Sequence, residues 1–177
     1  MTKLKHLYIL LLSLSLVCPT LAVAQTSDST IVEVLRDNGV TFTTNNKVVL
    51  LMSGQDKFDD MFKAIAQAKS SIHLEYFNFR NDSIAAELFK LLRRKAREGV
   101  EVRALFDGFG NDSNNRPLKK EHIKKLREEG IQIYEFDPIR FPWINHVFTR
   151  DHRKIVVIDG NVAYTGGMNV ADYYIHG

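Results

Sequence analysis

Short apolar runs rich in β-branched residues alternate with longer amphipathic segments along most of this chain. The runs occupy residues 48–52, 72–77, 100–106 and 131–136, and the segments between them repeat apolar residues at the three- and four-residue steps of a helix. Each helical segment is followed at once by another run. Helices that cover a mixed or parallel sheet are the simplest architecture with this order, so the chain predicts an α/β fold.

The helical segments carry start and stop signals. The first two each present one apolar face, formed by Phe58, Met61, Phe62 and Ile65 in the first and by Ile84, Leu88, Leu91 and Leu92 in the second. Asp82 or Ser83 can cap the second segment, and Gly99 stands where a left-handed stop is required. A third segment, residues 119–129, ends at Gly130. These signals predict three helices.

The N-terminus has the pattern of a secretory signal peptide. Lys3 and Lys5 precede an apolar stretch that is shorter than the ~20 residues of a comfortable membrane span, and the stretch closes with small residues. We expect residues 1–24 to be a signal peptide cleaved after Ala24, with an uncleaved N-terminal anchor as the alternative. In both cases the rest of the chain leaves the cytoplasm.

Composition and charge limit the class of protein. An apolar share of 45% and a charged share of 25% are typical of a globular domain, which we place after a polar leader at residues 25–46. Cys18 is the only cysteine, so a chain cleaved after Ala24 has neither a disulfide nor a thiolate-bound metal. The formal charge is +3, and residues 1–24 hold two lysines and no acid, which leaves +1. This near-neutral charge does not favour nucleic acid as a partner.

In residues 152–169, the spacing of the apolar side chains changes from the period of a helix to a period of two. The apolar residues 156–158 are expected to form the centre of a strand, residues 159–161 are of the types found in turns, and residues 162–165 begin a return strand. This segment therefore predicts a β-hairpin. Side chains two apart in a strand share a face and lie ~6.7 Å apart. His152 and Lys154 can therefore reach toward one phosphate-sized object.

Two registers of this hairpin agree with its turn signals. With residues 160–161 as the turn, Lys154 is paired with Gly167 and His152 with Asn169, so the register itself gathers three polar groups. If the turn moves back by one residue, Asn169 falls beyond the paired region and is positioned by a loop.

The residue types in this segment suit phosphodiester chemistry. A neutral imidazole is a competent nucleophile, which suits His152 to attack on phosphorus, and the Lys154 ammonium and Asn169 amide can stabilise charge on phosphoryl oxygens. Side chains at Gly166 and Gly167 would occupy the space in front of Lys154, whereas glycine lets a bulky anion approach the backbone. This design requires no metal and no cofactor.

The spacing His-x-Lys-x4-Asp-x6-Gly-Gly-x-Asn, from His152 to Asn169, is similar to the HKD motif of the phospholipase D superfamily. Outside the motif, the stretches that resemble the cardiolipin synthase branch are residues 72–77, 99–103, 130–138 and 151–154. The resemblance runs from about residue 48 to the end, and Asp151 stands where that branch often has asparagine. It implies a phospholipase D-like mixed sheet flanked by helices.

The resemblance also assigns roles to residues of the motif: His152, Lys154 and Asp159 as catalytic groups, and Lys154, Asn169, Gly166 and Gly167 as substrate-binding groups. Asp159 would support the site from the turn. The family's active site needs two such motifs, and this sequence has one. We therefore expect residues 47–177 to be the first half of the domain, truncated at its C-terminus. The second motif would come from the same full-length chain or from an identical subunit.

For the complete protein, the resemblance implies a phosphatidyltransferase that joins two phosphatidylglycerols into cardiolipin and glycerol through a phosphohistidine at His152. Its partners would be anionic phospholipid and a membrane surface, and its location the periplasm or membrane of a bacterial cell envelope. Two alternatives stay open. One is a secreted phospholipase D, phosphodiesterase or nuclease that acts as a homodimer, and the other is a non-catalytic fragment that binds lipid or a partner.

Other polar and aromatic residues have ordinary explanations as well as functional ones. Glu75 and Asp107 end strands and could line a pocket, but roles within the sheet or a turn explain them equally well. Residues 141–143 form a Phe-Pro-Trp loop just before the motif. That loop could enter lipid or simply pack against the protein.

Overall fold

The structure is a computed structural model that describes residues 28–142 and 147–176. The chain divides into two units, Met1–Val48 and Val49–Gly177. In the first unit, helix α1 (Asp28–Asp37) has no buried residue. This helix lies in the stretch that the sequence assigns to a leader, so the leader contains regular structure that its polar composition did not indicate.

The second unit contains a five-stranded mixed sheet with helices. Its elements are α2 (Gly54–Gln67), β1 (Ser71–Tyr76), α3 (Ser83–Arg97), β2 (Glu101–Asp107), α4 (Gly108–Asp112), α5 (Lys120–Glu128), β3 (Gln132–Phe136), β4 (Lys154–Ile158), β5 (Val162–Thr165) and α6 (Tyr173–His176). The strand order is β3-β2-β1-β4-β5. Strands β1, β2 and β3 are parallel, and β4 is antiparallel to both β1 and β5. The α/β fold class and the mixed sheet are thus confirmed.

The helix ends follow the sequence signals. Asp82 is the N-cap of α3, and its side chain accepts the backbone N–H of Ala85 at 3.4 Å. Ser53 caps α2 in the same manner by accepting the N–H of Asp56 at 3.0 Å. Gly99 and Gly130 have φ values of +89° and +91°, the left-handed geometry expected after α3 and α5.

The core lies on one face of the sheet. Strand β1 alternates half-buried and buried side chains, which places Leu74 and Tyr76 in the core and leaves His73 and Glu75 on the opposite face. The largest fully buried side chains come from strands, helices and the loop after β1: Tyr76, Phe58, Phe79, Phe106 and Met61. Burial of apolar surface stabilises a fold by ~25 cal/mol per Å², so these large side chains fix α2 and β1 as the frame on which the site is built.

The strand predicted at residues 48–52 is wrong. None of the five strands in the described ranges pairs with this segment, and Leu50 and Met52 are 81% and 83% exposed. An apolar run becomes a strand only when a neighbour satisfies its backbone N–H and C=O groups. The composition of the run indicated strand propensity, but propensity alone does not provide that neighbour.

No helix within residues 28–142 and 147–176 has both the length and the apolar character needed to cross a bilayer. The proposed signal peptide, residues 1–24, lies outside the described residues.

Candidate active site

His152 and Lys154 lie at the start of the antiparallel strand β4. Lys154 is the first residue of the strand and pairs with Tyr76 of β1, whereas His152 precedes the strand and is exposed. The Lys154 ammonium donates a hydrogen bond to the backbone carbonyl of His152 at 2.6 Å. This bond ties the ammonium to the backbone of the residue that carries the imidazole.

The Phe77 ring supports both side chains. The His152 imidazole meets it edge-on, with the ring centroids 4.8 Å apart, and the Lys154 Nζ atom lies 5.2 Å from its centroid. A ring edge and a cation are both favourable partners for an aromatic ring. Phe77 follows β1 directly, so the sheet positions both groups through one ring.

The Lys154 ammonium is held in a poorly solvated place. The residue is only 5% exposed, and burial lowers the pKa of this lysine, an effect that the negative charge of Asp151 opposes. An ammonium that is poorly solvated interacts more strongly with an incoming anion than a hydrated one does. Lys154 is therefore suited to binding a phosphoryl oxygen.

Asn169 approaches the same region from the loop after β5. Its side chain is buried, and its Oδ1 accepts the backbone N–H of Asn78 at 3.4 Å. Gly166 and Gly167 precede it, and a Cβ atom at either glycine would meet nothing within 4 Å. The structure thus places His152 and Lys154 against the Phe77 ring. It places Asn169 against the neighbouring Asn78, beside a loop with open space.

Both predicted hairpin registers are wrong by one residue. The observed ladder pairs Ile155 with Thr165 and Ile158 with Val162, which leaves a three-residue turn at residues 159–161. Asp159 and Gly160 both have positive φ, +52° and +67°. Both predictions assumed a turn of two residues, which does not include this three-residue geometry. The pairing of His152 with Asn169 does not occur, because Asn169 lies beyond the ladder.

Asp159 lies at the opposite end of β4 from Lys154. Its carboxylate accepts the backbone N–H groups of Ser71, Ser70 and Lys69 at 2.9, 2.8 and 2.8 Å, and the Ser70 hydroxyl at 2.9 Å. These bonds, with that from Ser71 foremost, hold the pKa of Asp159 well below its usual value. Asp159 therefore joins the hairpin turn to the start of β1, and the structure does not bring its carboxylate to His152.

Replacing Asp159 with asparagine is expected to lower the stability of the fold at neutral pH. The wild-type carboxylate has a depressed pKa when folded, so its contribution is complete above the unfolded pKa of about 3.9 and is lost as the pH falls toward the lower folded pKa. The urea midpoints of wild type and variant should differ near neutral pH and converge in acid. Asp59→Asn, at an exposed position of α2, is the control, and an equal loss in it would contradict this prediction.

A buried ion pair fixes the backbone immediately before His152. Asp107 is fully buried, and its carboxylate accepts the backbone N–H of Asp151 at 2.8 Å and contacts the Arg150 guanidinium at 3.1 Å. Arg150 also bonds Asp137 at 2.9 Å. The sequence offered turn and pocket roles for Asp107 equally, and the contacts show that it anchors the segment that carries His152.

The other sequence candidates lie at the edge of this arrangement or outside the described residues. The Glu75 carboxylate is 3.4 Å from the Arg153 guanidinium, and its pKa is raised by burial and by the neighbouring Asp151 carboxyl. In the aromatic loop, Phe141 is 92% exposed, whereas Trp143 lies outside the described residues. Within the described ranges no cluster of three or more His, Cys, Asp or Glu side chains is placed to hold a metal ion.

Sequence reasoning missed three contributors to this region. Phe77 carries the two catalytic candidates, Asn78 holds Asn169, and Lys57 of α2 donates hydrogen bonds to the carbonyls of Met168 and Asn169 at 3.0 and 3.5 Å. Phe77 and Asn78 lie at the end of the apolar run at residues 72–77, and this position at a strand end was the available signal. Lys57 is separated from its acceptors by more than a hundred residues, and no local pattern indicates such a contact.

The sequence and the fold of this chain are similar to those of known proteins. Residues 61–174 match the family model described as cardiolipin synthase, phospholipase D-like domain. The chain is 42% identical over 142 residues to the cardiolipin synthase of Halalkalibacterium halodurans, a match that covers 80% of this chain and 27% of that protein. It is 39% identical over 142 residues to the major cardiolipin synthase of Bacillus subtilis, covering 80% and 29%. The chain thus spans between a quarter and a third of the length of these relatives.

Among solved structures, NucT from Helicobacter pylori is similar in fold, with a TM-score of 0.51 and 14% sequence identity over 68% of this chain and 70% of that chain. At this identity the likeness concerns the fold alone.

Proposed function

The chain belongs to the family of cardiolipin synthase, phospholipase D-like domains, and we propose that it supplies one catalytic half of a phosphatidyltransferase that converts two phosphatidylglycerols into cardiolipin and glycerol. The observation that carries this proposal is the exposed His152 imidazole beside the poorly solvated Lys154 ammonium, both supported by Phe77. An exposed nucleophile next to a cation is the arrangement that attack on a phosphodiester requires.

In the first step, a ring nitrogen of His152 attacks the phosphorus of one phosphatidylglycerol, and the bond between phosphorus and the glycerol oxygen breaks. The histidine of the second motif protonates that oxygen, and free glycerol leaves. Lys154 and Asn169 bind the phosphoryl oxygens, and the open space at Gly166 and Gly167 admits the phosphate.

In the second step, the hydroxyl of another phosphatidylglycerol attacks the phosphohistidine. Its proton passes to the histidine of the second motif, the bond between phosphorus and His152 breaks, and cardiolipin is released. Water in place of this hydroxyl would give phosphatidic acid, so the same site would act as a phospholipase. Asp159 takes no part in proton transfer in this scheme and maintains the hairpin that carries the site.

The partners follow from this chemistry. The substrate is an anionic phospholipid, so the site must reach a membrane surface, and the exposed Phe141 lies before the motif on a loop that can contact it. The second motif comes from the same full-length chain or from an identical subunit. The signal-like pattern of residues 1–24 supports a location outside the cytoplasm for this reaction.

The proposal predicts that the complete enzyme, meaning this chain together with a second His-x-Lys motif, forms one cardiolipin and one glycerol from two phosphatidylglycerols. The 177-residue chain as a verified monomer is expected to show little or no turnover, because it lacks the histidine that protonates glycerol. Thin-layer chromatography of lipids and an enzymatic glycerol assay measure both products. Reading the gene past the codon for Gly177 shows whether the second motif is encoded in the same chain.

Phosphatidic acid with glycerol, and no cardiolipin, would assign hydrolysis to the site and reject the transferase. Robust cardiolipin formation by the monomeric 177-residue chain would contradict the requirement for a second motif. Cleavage of nucleic acid without action on lipid would replace the proposal with the nuclease alternative.

A further inference from the structure

The loop that carries Asn169 is held at a few identifiable points. The carbonyl of Val170 accepts the backbone N–H of Arg80 at 3.0 Å, and Val170 forms an isolated parallel bridge with Phe79. On the other side, Gly166 and Gly167 have no packing partner in the direction a side chain would take. Between these two regions, the carbonyls of Met168 and Asn169 need a donor, because unpaired backbone carbonyls are costly in a partly buried loop.

Lys57 provides that donor from helix α2. Its ammonium lies 3.0 Å from the carbonyl oxygen of Met168 and 3.5 Å from that of Asn169. The first turn of α2 is packed closely against the C-terminal segment, since a Cβ atom at Gly54 would lie 2.0 Å from the carbonyl oxygen of Tyr174. The helix is thus in direct contact with the segment that follows Asn169.

The surroundings of Lys57 are unusual for a lysine. Its Nζ atom lies 4.4 Å from the centroid of the Phe58 ring and 5.3 Å from that of Tyr76. In the part of the chain that the structure describes, no carboxylate is within ion-pair distance of it. Burial lowers the pKa of Lys57 to about 8. A cation in this place costs free energy that methionine of similar length would not.

We propose that Lys57 is a positioning residue for the phosphate site, because its ammonium fixes the carbonyls of Met168 and Asn169 and so holds the Asn169 carboxamide against Asn78, next to the Phe77 ring that supports His152. This inference rests on the proposed function, in which Asn169 binds a phosphoryl oxygen. Lys57 acts through the loop and does not touch the substrate.

The geometry explains why a hydrogen-bonding cation is required here. The side chain of Asn169 makes a long bond of 3.4 Å to Asn78, which is too weak to set the position of the loop by itself. Without Lys57, the segment between the glycine pair and Val170 loses its hydrogen bonds to α2. A displacement of about 1 Å in a group that binds the reacting phosphate can cost ~100-fold in rate.

The test compares Lys57→Met with Lys63→Met in the complete enzyme. Lys63 is exposed on the same helix, so the two variants lose the same charge. In Lys57→Met, kcat for phosphatidyl transfer should fall about 10- to 100-fold with little change in KM. The urea midpoint should change little, because removal of a partly buried charge offsets the loss of its hydrogen bonds. Lys57→Arg, which keeps a cationic donor, should recover part of kcat. The proposal would be overturned if the kcat of Lys57→Met equalled that of Lys63→Met. It would also be overturned if the fall in kcat were matched by an equal loss of folded protein.

A second measurement separates this proposal from the proposed function. In the 177-residue chain, the NMR resonances of the Asn78 amide and the Asn169 carboxamide should move in Lys57→Met and stay in place in Lys63→Met. If they move while the wild-type complete enzyme transfers no phosphatidyl group, the positioning role stands and the proposed function fails. If they do not move, the positioning role is rejected whatever the activity of the enzyme.

Discussion

Replacing His152 with alanine is expected to abolish phosphatidyl transfer by the complete enzyme, with kcat reduced on the order of 10⁴-fold or more. The imidazole is the only group of the protein that forms a bond to phosphorus in the proposed scheme, and water cannot replace it without changing the product. Binding of phosphatidylglycerol should be nearly unaffected, since Lys154 and Asn169 remain. The variant thereby separates binding from chemistry.

Two measurements check this expectation. Enzyme denatured at alkaline pH after incubation with phosphatidylglycerol should carry acid-labile, base-stable phosphorus on the wild-type protein and none on His152→Ala. Vesicle sedimentation should show similar binding for both proteins. His73→Ala is the matched control, because His73 lies on β1 with its Nε2 2.8 Å from Glu101, remote from the proposed chemistry. A phosphorylated His152→Ala protein would show that another residue is the nucleophile.

The parts of the fold that the sequence predicted are those set by local chemistry. Gly99 and Gly130 have the positive φ values expected of helix stops, and Asp82 accepts the N–H of Ala85 as an N-cap. The strand β4 was recognised because residues 156–158 are β-branched or apolar and are followed by turn residues. In each case the cause lies within a few residues of its effect, so one sequence is enough to detect it.

The parts that were missed depend on contacts between distant segments. Residues 48–52 have strand composition, but strand formation requires a neighbour that the composition does not specify. The hairpin register depends on Asp159, whose left-handed φ accompanies bonds to Lys69, Ser70 and Ser71, which lie 88 to 90 residues away. The contacts of Lys57 were missed for the same reason, because its acceptors lie in the last tenth of the chain.

Alanine at Gly110 is expected to disrupt both the fold and the site. Gly110 lies in α4, and a Cβ atom there would be 2.2 Å from the carbonyl oxygen of Phe77 and 2.8 Å from its ring carbon Cδ2. The ring could rotate away, but the carbonyl belongs to the backbone that continues β1. Overpacking of this kind costs about 3 kcal/mol when backbone must move.

The site should respond because Phe77 supports the proposed catalytic pair, His152 and Lys154. When the ring is displaced, the His152 imidazole loses its contact at 4.8 Å and the Lys154 ammonium its contact at 5.2 Å. The ring-current shift of the His152 proton resonances should decrease, and the urea midpoint should fall. Gly166→Ala is the control for stability, since a Cβ atom there meets nothing within 4 Å. A Gly110→Ala protein that unfolds at the wild-type urea concentration and keeps the His152 shift would refute the role of Phe77 as this support.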